Sequence, residues 1–178
     1  QFLNEKWELP IFSNILHAET RHFNAIGFLI ENFELEDLAK KEAGKFQNEE
    51  LQNLYDSLTK KGSESLVTAL EVGAFIEEVD IQDLQQLVNS TSNETIKNTY
   101  QNLLRASGNH LRAFTSQLAN RDNNYSPVVL TEKEYLTILE TPHQMGGGNG
   151  NCVNQQNSCP RNQNQGNGKM RRWRGGRN

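Results

Sequence analysis

What most constrains this chain is where proline is missing. Only four prolines stand in its 178 residues, Pro10, Pro127, Pro142 and Pro160, and none falls inside a periodic stretch. Proline removes a backbone donor and clashes with the preceding turn, so its exclusion leaves long windows in which helix is permitted. Apolar residues fill those windows at helical spacing. Val128 to Leu130 is the only β-like run. The expected fold class is therefore all-α.

Gln1 to Trp7 reads as the end of a helix whose start is missing. Pro10 suits the first turn of the next helix. Its apolar stripe is Phe12, Ile15, Leu16, Phe23, Ile26, Leu29, Ile30 and Phe33, about six turns. Gly44 and its charged neighbours form a loop. Asn48 caps a short helix through Leu51, Leu54, Tyr55 and Leu58, which Gly62 ends. Ser63 or Ser65 starts a long helix carrying Leu66, Leu70, Gly73, Ile76, Leu84 and Leu87. Asn93 caps another, with Ile96, Tyr100, Leu103, Leu111, Phe114 and Leu118. Thr131 and Glu134 form a capping box for a last short helix to about Glu140. Three long helices, a truncated one and short connections imply an antiparallel four-helix bundle.

Composition divides the chain. Gly, Asn and Gln supply 20 of the last 33 residues, and only 35% of the whole is hydrophobic. Residues 1–141 are thus expected to hold the bundle, and 142–178 a disordered tail. The six basic residues of the tail, with no acid among them, leave 12 basic and 22 acidic residues in the body. An acidic body does not suit nucleic acid, whereas the arginine-rich end from Lys169 to Arg177 could touch a polyanion or serve only to solubilise. No apolar run approaches the ~20 residues of a membrane span.

The buried stripes contain polar residues that a bundle normally excludes. Glu19 lies on the line of Phe12, Ile15, Phe23 and Ile26, and His22 shares that face at i+3. Glu77 lies on the line of Leu70, Gly73, Asp80 and Leu84. Ser107 and His110 fall on the line of Tyr100, Leu103 and Phe114. An unpaired buried carboxylate is costly, and a cation neutralises several at once. Two carboxylates with two imidazoles suit Fe, Mn or Zn rather than Ca or Mg. The competing reading is a buried Glu–His ion pair with a core histidine bonded to Tyr or Ser. Asp80 is open between a ligand, a partner that orients a histidine and a partly exposed acid. Glu78 is turned about 100° from Glu77 and is expected on the solvated surface. Asn109 is placed on the flank, His17 in solvent, and His143 in a loop.

The segments LPIFSNILHAETRHFNAIGFLIENF, GAFIEEVDIQDLQQLV and NLLRASGNHLRAF resemble a ferritin-like family of bacteria and archaea related to rubrerythrin, domain-of-unknown-function family 2202. The resemblance covers roughly Gln1 to Leu139. It implies a four-helix bundle whose superfamily holds two iron or manganese ions on one Glu from each of two helices and a Glu-x-x-His from each of the other two. Glu19 and His22 match one such pair, Glu77 a single-Glu position, and His110 the second histidine. Two departures stand out. Ser107 replaces the Glu expected three residues before His110, and the acidic motif upstream of Gln1 to Trp7 is absent. One ion is then as plausible as two, with Asp80 a substitute ligand. The truncated helix would also leave apolar bundle surface exposed, which implies low solubility or a homodimer.

The resemblance further implies reaction with O₂ or peroxide, of ferroxidase or peroxidase type, with Tyr100, about two turns before His110, a candidate electron source. No four-cysteine rubredoxin-like module is present, so an external electron donor is implied. Gly146 to Gly150 lacks the Lys-Ser/Thr of a phosphate-binding loop. Cys152 and Cys159 would form a small disulfide loop if the protein is exported, or remain free thiols in the cytoplasm.

Overall fold

The computed structural model describes residues 1–40 and 42–142. The expected tail, with His143, Cys152, Cys159 and the arginine-rich end, lies outside the described residues. Within them are six helices and no strand: α1 Phe2–Trp7, α2 Pro10–Asn32, α3 Glu49–Gly62, α4 Leu66–Ser90, α5 Glu94–Ala119 and α6 Glu132–Glu140.

Each start has a local cause. Pro10 occupies the first turn of α2, where its missing N–H costs nothing. The Asn48 side chain accepts from the N–H groups of Glu50 and Leu51. Ser65 rather than Ser63 caps α4, through the Thr68 N–H. Asn93 accepts from Thr95 and Ile96. Thr131 and Glu134 complete the capping box of α6. These bonds satisfy donors that a helix start leaves open.

α4 is the central helix. It packs most extensively on α5 and also on α3, while α2 packs on α5 and α1. The link from α4 to α5 spans only residues 91–93, which makes the pair antiparallel. Ala69, Leu70, Val72, Gly73, Ala74, Glu77, Glu78 and Ile81 are all buried on α4. They cover more than one face, as a helix surrounded by others requires. Gly73 permits the closest approach. A Cβ there would lie 2.4 Å from the Phe114 ring. Phe114 in turn packs on Phe12, with ring centroids 6.0 Å apart. Trp7 Nε1 donates to the Gly62 carbonyl oxygen at 2.8 Å and ties α1 to the end of α3.

Three expectations are corrected. Phe23, placed in the apolar stripe of α2, is 63% exposed. Leu87, placed in the stripe of α4, is also exposed. Both stripes are wider than the faces that neighbouring helices cover. The β-like run Val128–Leu130 forms no strand, in keeping with the all-α class expected. Glu78, expected in solvent, is completely buried.

The last two findings share one cause. After α5 the chain reverses through Asp122, at φ 54°, and returns along α4 before α6. That returning segment has no ladder to receive its N–H groups. The Glu78 carboxylate receives them: Val128 donates at 3.1 Å, Val129 at 2.9 Å and Leu130 at 2.8 Å to Oε2. The Tyr125 hydroxyl donates to Oε1, and Tyr135 Oη donates to the Tyr125 carbonyl oxygen. Its own burial, and its bond to the Glu78 carboxylate, push the Tyr125 phenol well above its ordinary value. Charge-assisted bonds to several donors are what make a buried carboxylate tolerable.

Glu78→Ala should therefore destabilise the fold by about 2–5 kcal/mol, because it leaves several neutral donors without an acceptor at ~1–3 kcal/mol each where they are buried. Glu78→Gln, which keeps one accepting oxygen, should cost less. Thermal melts followed by circular dichroism decide it; an Ala variant within ~1 kcal/mol of wild type would remove Glu78 as the anchor of residues 125–130.

Candidate metal centre

Three helices each bring an i,i+3 pair to one place, and residues so spaced share a helix face. α2 supplies Glu19 and His22, α4 supplies Glu77 and Asp80, and α5 supplies Ser107 and His110. His110 stands between the acids. Its Nδ1 lies 3.0 Å from Glu19 Oε1 and 3.3 Å from Glu77 Oε1. The other oxygen of Glu19 meets His22 Nδ1 at 3.1 Å. The two imidazole rings stack at 5.7 Å. The site closes over Glu77, 4% exposed in its side chain, and opens at Glu19, 42% exposed in its own.

The contacts around His110 are short, but their angles are not those of hydrogen bonds. Glu19 Oε1, Glu77 Oε2 and His110 Nδ1 are each buried without a hydrogen-bond partner. One ligand atom from each of Glu19, Glu77 and His110 lies within 4.8 Å of the others. Three ligands held ~2.1 Å from one ion in a tetrahedron stand about 3.4 Å apart, so small side-chain movements suffice. Two carboxylates and an imidazole also match the donor chemistry of a transition-metal ion. The residues present therefore fit such a group.

The electrostatics reflect the same crowding. Burial works against the charge on Glu19, but the two imidazoles of His110 and His22 beside it prevail and hold its carboxyl at about 2. Glu77 moves the other way: burial raises it, and His110 and the Ser107 hydroxyl only partly compensate. Asp80 rises to about 7 through burial and the charges of Glu77, Glu19 and Asp83. His110 rises to about 9, because its two carboxylate neighbours outweigh its burial.

Of the five ligands expected from the sequence, the structure brings Glu19, Glu77 and His110 to one point. His22 is set behind Glu19, as its bonded partner. Asp80 is half-buried and lines the same cavity as Glu19 and Glu77. Ser107 is buried, and its hydroxyl partly offsets the rise of Glu77, a role the sequence did not disclose because a serine in place of a glutamate reads as a loss. Asn109 is on the flank, accepting from Arg112 Nη2, and His17 is exposed. Tyr100 is ten residues before His110 on α5, about 15 Å away along the axis, and so is not adjacent to the cluster. Among the described residues, no helix is long and apolar enough to cross a membrane.

Comparison with known proteins places these residues in context. A family model described as an uncharacterized protein domain, DUF2202, matches residues 1–142. The uncharacterized protein MJ0754 of Methanocaldococcus jannaschii is 41% identical over 145 residues, covering 81% of this chain and 78% of that protein. The crystal structure of hypothetical protein MJ0754 superposes with a TM-score of 0.78, over 80% of this chain and 82% of that one.

The shifts predict a pH profile for metal-free protein. Glu19, at about 2 against an ordinary 4.5, stabilises the fold above pH 4.5, and this is lost as pH falls towards 2. His110, at about 9 against 6.5, stabilises below pH 6.5, and this is lost as pH rises through 9. Asp80, at about 7 against 3.8, costs stability increasingly from pH 3.8 and in full above 7. In chelator the melting temperature should fall between about pH 6.5 and 9. Asp80→Asn should raise it at about pH 8 and leave it unchanged near pH 3. A flat alkaline limb would contradict the protonated His110.

Proposed function

The chain belongs to the DUF2202 family of uncharacterized domains, and we propose that it is a transition-metal protein with a ferritin-like four-helix core. The observation that carries this reading is that Glu19, Glu77 and His110, from three different helices, bring one ligand atom each within 4.8 Å of the others, while Glu19 Oε1, Glu77 Oε2 and His110 Nδ1 are buried without a hydrogen-bond partner. The order of three long helices and a short leading one supports the bundle.

Glu19, Glu77 and His110 would hold one ion. Iron or manganese would supply one-electron chemistry towards O₂ or peroxide, of ferroxidase or peroxidase type, and zinc only Lewis acidity. Each other residue then has a defined task. His22 bonds the second oxygen of Glu19 and fixes its orientation. Ser107 does the same for Glu77. Asp80 lines the same cavity as Glu19 and Glu77 and is the additional carboxylate that a second ion would recruit. An external donor would supply electrons.

A second reading has its own observation. The Glu19–His22, Glu19–His110 and Glu77–His110 contacts are also ion pairs, which would neutralise the cluster without metal in a structural or binding module.

Elemental analysis after anaerobic loading with Fe(II), Mn(II) or Zn(II) separates the two. Metal binding predicts one or two ions per chain, lost in a Glu19→Ala/His22→Ala double variant. His22→Ala alone should weaken affinity about 10–100-fold, the usual effect of losing a group that orients a ligand. Ion pairing predicts no stoichiometric metal and identical melting curves with and without chelator.

A further inference from the structure

We infer that Gly73 is a positioning residue of the candidate metal centre: by seating the tip of the Phe114 ring it sets the distance between Glu77 on α4 and His110 on α5, and through that distance the affinity of the site. The affinity half of this inference rests on the metal reading above, and the distance half does not.

Two contacts between α4 and α5 lie on successive turns. Gly73 precedes Glu77 by four residues on α4, and Phe114 follows His110 by four on α5. Four residues make about one helical turn, and the two helices run antiparallel. The Gly73–Phe114 contact therefore sits one turn from the Glu77–His110 contact of 3.3 Å, and spacing at the first governs spacing at the second.

The first contact has no slack. A Cβ on Gly73 would lie 2.4 Å from Cε1 and Cζ of Phe114 and 2.8 Å from Cε2. These three atoms form the tip of the ring, so the ring meets the glycine end-on. Rotation of the ring about its own axis brings no relief, because Cζ lies on that axis. An ordinary carbon contact is ~3.5–4.0 Å, so the tip would have to retreat by ~1 Å or more. A retreat without backbone movement needs a new χ1, and a helix allows few. It would also abandon Phe12, whose ring centroid stands 6.0 Å away. The alternative is for α5 to move outwards and take His110 with it. α2 packs on α5, so Glu19 travels with His110, and Glu77 is the ligand left behind. Alanine favours helix over glycine, so α4 itself persists.

The test uses the full chain with Co(II) as the probe, read by calorimetry and visible absorption, and circular dichroism for helix content. Gly73→Ala should weaken Co(II) binding by about tenfold or more, the scale of losing a group that orients a ligand, with helix content kept. Gly73→Ala/Phe114→Leu, which lacks the three tip atoms, should recover most of that affinity. Because Gly73 acts through Glu77, Gly73→Ala should add nothing to the loss caused by Glu77→Ala. Should Gly73→Ala fail to fold, Gly73→Ala/Phe114→Met is compared with Gly73→Ala/Phe114→Leu, and the longer side chain should bind Co(II) more weakly. In chelator, a cycle of Glu77→Gln and His110→Asn on the melting temperature reads the coupling between the two residues without metal. That coupling should be present with Gly73 and lost in Gly73→Ala. Wild-type affinity in Gly73→Ala, no recovery with Phe114→Leu, or a further loss on top of Glu77→Ala would each overturn the affinity half. Unchanged coupling in chelator would overturn the distance half. No Co(II) uptake by the wild type would overturn the metal reading, and the affinity half with it.

Discussion

A carboxylate removed from water must be given donors or a cation, and α4 carries two in succession at its most enclosed point. Glu77 and Glu78 are 3% and 0% exposed. Consecutive helical residues point about 100° apart, so the two acids leave the same helix towards different neighbours. Glu78 meets the returning segment, where three backbone N–H groups and the Tyr125 hydroxyl satisfy it. Glu77 meets α2 and α5, where it finds Ser107, an imidazole and a second acid, and keeps one oxygen unsatisfied. The first arrangement holds the polypeptide together. The second leaves a polar demand that a cation would meet.

The rest of the molecule follows from this central position. α5 can come close enough to bring His110 to Glu77 because Gly73 admits the Phe114 ring. α2 reaches the same place through its packing on α5, and Glu19 then stands 3.0 Å from His110. The apolar core formed by Leu70, Leu111, Phe114 and Leu118 fixes these helices in register, so the polar atoms are held where the packing puts them. A rigid surround of that kind is what a ligand set needs for its geometry to precede the ion.

Much of this was legible in the residues. Asn48, Ser65, Asn93 and Thr131 announce helix starts because a short polar side chain before an apolar run has one local use, to receive the first N–H groups. Glu19 with His22 and Ser107 with His110 were visible as pairs because i,i+3 spacing puts both members on one face. Glu78 was misread for an equally physical reason. Periodicity places a residue relative to its own helix, and it says nothing about how many neighbours surround that helix. The signal was present but weak: Ala69, Leu70, Val72 and Ala74 make α4 apolar around more than half its circumference, as a central helix should be. Phe23 failed in the opposite sense, since an apolar stripe has a width of its own and the face its neighbours cover is narrower.

The sequence by itself determined the local facts: which windows are helical, where each begins, and which polar residues ride on apolar faces. These depend on dihedral preference, capping and a 3.6-residue period, all of which act within a few residues. The tertiary structure alone decided which polar groups meet. It gave Glu78 its donors some fifty residues away, set His110 between Glu19 and Glu77, and left one buried atom of each of the three without a partner. Those outcomes arise from the packing of whole helices, where a rotation or shift of a single element changes every partner at once.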